Sequence, residues 1–246
     1  MNKLLLLLVL SFSVSAYDQF KTVDSVEVIE ITENEDGTFG EEVISRTNVA
    51  KSYYEDTYDT YKLLADPKDK MGIENLGEII TIAGEIVGLG KEVYDLVQLG
   101  KPVVNVDTAP ISVLPMNLDK DAPVAALSLS NWKEPVVKKY RIKVKNYLGM
   151  TAIDFRWKII FSHGGKYNDK GAFITGAVIK PEFVDVSYGY DLNVNYKLQS
   201  ISNVGSTEAP IAQAIIDLDF KIETVLKTTI RSQSYLIDGL GRLKSL

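Results

Sequence analysis

The chain has 246 residues, no cysteine and one histidine, and its 33 acidic against 27 basic side chains give a formal net charge of −6. That inventory excludes disulfides, thiol catalysis and zinc sites built from several Cys or His. The negative balance also disfavours wholesale binding to nucleic acid, so any attraction to an anion must be local.

Residues 1–16, MNKLLLLLVLSFSVSA, read as a secretory signal peptide: a cationic start at Lys3, an apolar run from Leu4 to Val14, and small residues at Ser15 and Ala16. The run is shorter than the about 20 residues that a membrane span needs. Removing it takes away Lys3 and moves the net charge from −6 to −7. The expected location is periplasmic or extracellular, in a bacterium. The lack of cysteine and of any Asn-x-Ser/Thr acceptor agrees with that expectation.

Residues 17–70 are acidic. SVEVIEI and EEVISRT flank TENEDGTFG, where Asp36-Gly37 favours a tight turn, so an acidic β-hairpin is expected. The Tyr-rich SYYEDTYDTYKLL that follows reads as a packed connector.

Residues 71–102 have helical period. Glu74, Glu78, Thr81, Glu85, Glu92 and Asp95 form a polar stripe opposite Leu76, Ile80, Ala83, Val87, Tyr94 and Val97. Gly77, Thr81, Gly84 and Gly88 run beside the acids as a ridge of small residues, suited to helix packing or to association in lipid. An amphipathic helix is therefore expected here, stopped by LGKP at Leu99 to Pro102. The order of this helix and the β region after it resembles, in layout alone, small pore-forming toxins such as the actinoporins. That resemblance implies a membrane-active alternative.

Residues 103–246 alternate between apolar and polar in short runs: YRIKVKN, DFRWKIIF, GAFITGAVI, YDLNVNYKL, AIIDLDFKIET and SYLIDGLG. Strands without intervening helices predict an antiparallel β-sandwich, so the whole chain is expected to be mainly β.

Alternation places Tyr140, Ile142 and Val144 inward and Lys139, Arg141, Lys143 and Lys145 outward. The next strand repeats this, with Phe155, Trp157, Ile159 and Phe161 inward and Arg156 and Lys158 outward. Six cations on one face call for anions, because like charges opposite one another on neighbouring strands are destabilising. The internal candidates are Asp217, Asp219 and Glu223 on a later strand, or the acidic hairpin. The external candidates are anionic lipid, lipopolysaccharide or acidic polysaccharide, with self-association as a further option. This basic face is the predicted contact surface.

Catalytic signals are sparse. His163 in FSHGGKYNDKG reads as a loop residue, and no Gly-x-Ser-x-Gly occurs. Asp119 and Asp121 do not continue into a calcium loop, and with Gly37 in the sixth position of such a loop the twelfth falls on Val43. No metal or other cofactor is expected. Tyr188 and Tyr190 share a face with Leu192 and Val194 and read as core. The expected function is thus an exported, non-enzymatic binding or envelope-associated protein, with a membrane-active protein and a glycan hydrolase using a carboxylate pair as alternatives.

Overall fold

A computed structural model describes residues 18–49, 78–103, 110–117 and 121–246. The expected signal peptide, the connector, Gly77 and Asp119 lie outside the described residues. After a helical turn at 18–21, β1 (Val23–Glu33) and β2 (Phe39–Asn48) pair antiparallel around Asp36 and Gly37. Gly37 has φ 78°, a left-handed conformation that glycine adopts freely, and the Asp36 carboxylate accepts bonds from the Thr38 N–H and hydroxyl.

The amphipathic helix expected over 71–102 is corrected wherever the structure describes it. Residues 78–98 form β3 (Glu78–Ala83), β4 (Ile86–Gly90) and β5 (Tyr94–Gln98), and β6 (Lys101–Pro102) completes the segment. Two features override the helical spacing. Ile79, Ile80, Thr81, Ile82, Ile86 and Val87 are β-branched and favour extended backbone. Gly84 then turns the chain with φ 62°, and Thr81 comes to lie opposite Gly88. A Cβ on Gly84 would meet nothing within 4 Å, so that glycine serves the turn and not a close approach. Gly88, by contrast, is buried in β4, opposite Val113.

The remaining strands are β7 (Ile111–Asn117), β8 (Ala122–Pro123), β9 (Val136–Asn146), β10 (Thr151–Tyr167), β11 (Lys170–Val186), β12 (Tyr190–Asn203), β13 (Ala212–Thr224), β14 (Thr228–Asp238) and β15 (Leu243–Ser245). They build two open antiparallel sheets. The larger has the order β2-β1-β9-β10-β11-β7-β4-β3, with β8 beside β7, and the smaller has the order β15-β14-β13-β12-β5-β6. The acidic hairpin is thus an extension of the larger sheet, because β1 pairs with β9 from Ile31↔Lys139 to Val23↔Asn146.

The sheets share one apolar core. Tyr140, Ile142, Val144, Phe155, Trp157, Ile159 and Phe161 are all fully buried, as the alternation predicts. From the smaller sheet Leu218, Phe220, Ile222 and Tyr235 face them. Ring centroids lie 4.7 Å apart for Tyr140 and Tyr235 and 5.5 Å for Trp157 and Phe220, so the two inner faces touch directly. Each such aliphatic or aromatic side chain contributes about 1.5–3 kcal/mol by leaving water. This core needs no cross-link to hold the two layers together.

Candidate functional site

The outer face of β9 and β10 carries the cations that the alternation predicted, and the structure supplies an acid for each. Lys139 reaches Glu33 at 3.5 Å, Lys143 reaches Glu41 at 3.0 Å, Lys145 reaches Glu27 at 3.7 Å and Lys158 reaches Glu182 at 3.0 Å. Arg141 is the centre of the lattice. Its Nε and Nη2 donate to the two carboxylate oxygens of Asp154 at 2.8 and 2.6 Å, while Nη1 donates to Glu41 at 2.6 Å. Arg156 takes the second side of Asp154 at 3.3 Å.

Register explains the need for Asp154. Arg141 stands directly opposite Arg156, and Lys139 opposite Lys158, which alone would be repulsive. Two residue pairs further along, and so next on the same face, Asp154 stands opposite Lys143 and reaches back to both arginines. Burial works against its charge, but the bonds from Arg141 and Arg156 outweigh that and hold its carboxyl below the ordinary range. Glu41 is likewise lowered, chiefly by its bond from Lys143 and also by Arg141. The Asp154 bonds in turn raise Arg141.

The acids come mainly from the N-terminal hairpin. Glu27, Glu33 and Glu41 lie on β1 and β2, and Glu27 is also bound by Arg46 at 2.6 Å. The other internal candidates are corrected: β13 belongs to the smaller sheet, where Asp219 pairs with Lys197, Glu223 with Lys221, and Asp217 accepts from the Ser234 hydroxyl. Two aromatic rings complete the outer face. Phe39 lies 5.2 Å from the Lys139 ammonium and Phe183 lies 5.0 Å from the Arg156 guanidinium. Seven cations and five carboxylates make up this set, so its net charge is 7 − 5 = +2. Chemically it behaves as a zwitterionic lattice that fastens the hairpin to the sheet.

No protein-family model, curated protein or solved structure matches the chain.

His163 belongs to β10 and not to a loop. Its ring packs 6.2 Å from Phe161 and over Gly241, where an added Cβ would come within 2.5 Å of it. A groove of about 440 Å³ opens near the β10–β11 turn and is lined by Glu85, Tyr167, Lys170 and Glu208, among others. Bonds from its own backbone N–H and from Ser206 lower the Glu208 carboxyl, which suits a carboxylate rather than a proton donor.

The opposite end of the molecule was not singled out by the sequence. There the β9–β10 turn at 147–150 meets the β11–β12 turn at 187–189, since Ser187 donates to the Ala152 carbonyl at 2.8 Å. The helical turn at 18–21 joins them. Tyr147 donates to the Thr22 carbonyl at 3.2 Å, and the Tyr190 hydroxyl donates to Phe20. Buried Asn146 ties the assembly, accepting from the N–H groups of Leu148 and Met150 at 3.1 and 3.0 Å and donating to the Phe20 carbonyl at 3.2 Å. Buried Lys21 donates to the Tyr188 carbonyl at 2.7 Å, with its ammonium 5.1, 4.8 and 5.8 Å from the rings of Phe20, Tyr188 and Tyr190. Tyr190 is core as expected, whereas Tyr188 is 90% exposed in the turn, which corrects its reading as core.

Proposed function

We propose that the protein is an exported, non-enzymatic binding protein of the cell envelope, built as a β-sandwich and directed to export by its apolar N-terminal segment. The observation that carries this reading is a juxtaposition. The apolar run from Leu4 to Val14 leads within a few residues into Phe20 and Lys21, which are bonded into the end of the fold where the strand turns converge. The export signal thus leads directly into this end of the fold, which supports a place for the protein in the cell envelope.

A second reading keeps the basic face as a contact for anionic lipid, lipopolysaccharide or acidic polysaccharide. Its support is the +2 excess of the lattice and the 42% exposure of the Arg156 side chain. Insertion of a 72–99 helix is not proposed, because strands occupy residues 78–98. The test is sedimentation of residues 17–246 with isolated envelope fractions at about 0.05 and 0.5 M salt, where screening lengths differ several-fold. Association at both salts supports the first reading, and association that high salt abolishes supports the second. Protein left in the supernatant of every fraction refutes both.

A further inference from the structure

The two ends of the molecule differ in chemistry. At one end three turns are polar, with Asn34, Glu35 and Asp36 between β1 and β2, Asn168 and Asp169 between β10 and β11, and Ser206, Thr207 and Glu208 between β12 and β13, while the β14–β15 turn exposes Leu240. At the other end, every turn between paired strands carries exposed apolar side chains. The β9–β10 turn presents Leu148 and Met150, and the β11–β12 connection presents Tyr188. The β13–β14 turn presents Val225 and Leu226, the former 71% exposed.

The fourth is the β5–β6 turn, with Leu99 68% exposed. These turns adjoin. Gly100 donates to the Leu192 carbonyl at 2.9 Å, and Tyr190 stands opposite Thr224, so the tips gather at one apolar pole.

Leu99 is unfavourable there on two counts. It exposes a large aliphatic side chain, and its φ of 48° is a left-handed conformation that asparagine or glycine would adopt more readily. A bulky residue kept against its backbone preference at an exposed tip points to use of its side chain. The spread of the tips narrows the partner. They come from strands of both sheets, and a deformable medium takes up such a set without a pit of matching form. Leu99 and Leu226 are followed within two residues by Lys101 and Lys227, long side chains whose charged heads suit the level of lipid headgroups. An exposed Tyr at the rim is placed as aromatic residues are at membrane interfaces.

We infer that this pole docks on a lipid bilayer, its loop tips entering the headgroup region to the depth of a few side chains. The inference rests on the envelope reading and names the partner surface. The occupant is a bilayer, matched by the apolar tips together with the Lys101 and Lys227 side chains and the Tyr188 ring beside them.

The test uses residues 17–246 carrying Tyr188→Trp, with vesicles of phosphatidylcholine containing about 30% phosphatidylglycerol. The expected result is a blue shift of the added tryptophan on binding, quenching by acyl-chain-brominated lipid, and persistence at 0.5 M salt. Leu226→Asp should weaken partitioning at least about tenfold, as loss of a buried leucine implies. Leu99→Asn should weaken it while leaving the thermal midpoint unchanged or higher, which separates docking from folding. Val204→Asp, at the polar end, should change neither.

Several results would overturn the inference. Binding to envelope fractions with no binding to vesicles would leave the envelope reading standing and remove this one. Vesicle binding that salt abolishes and Leu226→Asp leaves intact would assign the contact to the basic face. If the tryptophan introduced by Tyr188→Trp is already shielded from acrylamide without lipid, the pole is covered by the chain itself or by a second copy.

Discussion

Replacing Asp154 by asparagine tests whether the charged face is held together as described. The substitution preserves size and removes the anion shared by Arg141 and Arg156, whose bonds to it measure 2.6, 2.8 and 3.3 Å. Stripping one partner from a buried ion pair costs about 3–5 kcal/mol. Here Arg141, with its side chain 15% exposed, keeps Glu41 at 2.6 Å, so a loss of about 2 kcal/mol is expected. For a chain of this length that corresponds to a fall of about 4–8 °C in Tm. The carboxyl is depressed in the fold, so its contribution is fully present above its unfolded pKa and is lost as pH falls through the lower, folded pKa. Stability should therefore differ between wild type and variant above about pH 5, and the gap should narrow toward about pH 2. Circular-dichroism melts across that range provide the measurement. A loss under about 0.5 kcal/mol, or a gap independent of pH, would refute the role given to Asp154.

Further substitutions probe the remaining parts. Gly189→Ala places a Cβ 1.2 Å from the Lys21 ammonium at φ 81°, displaces that side chain and should cost about 1–2 kcal/mol through the left-handed backbone. Mass-spectrometric acylation should then find Lys21 reactive; continued protection would contradict the cage. Trp157→Ala removes a ring stacked 5.1 Å from Phe155 and 5.9 Å from Tyr140, and should cost about 3–5 kcal/mol in denaturant titrations. A loss below about 1 kcal/mol would mean that the core does not depend on that stack.

The in-and-out alternation of Tyr140 to Val144 and Phe155 to Phe161 could be read from the sequence because a strand's period of two fixes its faces. Alternation does not say which strand lies next to which. Glu27 and Glu41 were therefore no better candidates than Asp217 and Asp219 until β1 paired with β9. The 78–98 segment misled because its acids recur at seven and three, a pattern that a short β3–β4 hairpin turning at Gly84 followed by β5 also satisfies. Isolated tip residues such as Leu99, Leu148 and Val225 are ordinary in a sequence. Only the topology gathers them at one pole.

The pairing of β1 with β9 sets an order of events in time. Glu30 and Lys138, which pair at 2.7 Å, are 108 residues apart in the chain. At about 5–20 residues per second the hairpin is complete roughly 5–20 s before its neighbouring strand has been synthesised. Throughout that interval Val26 and Val28 have no core to enter, and the edge that β9 will occupy is unpaired. Glu33 and Glu41 are then without their cations, while Glu27 already has Arg46, and the unneutralised acids resist pairing with another nascent chain. The carboxylates that fasten the finished sheet thus first act as the guard of its unfinished edge.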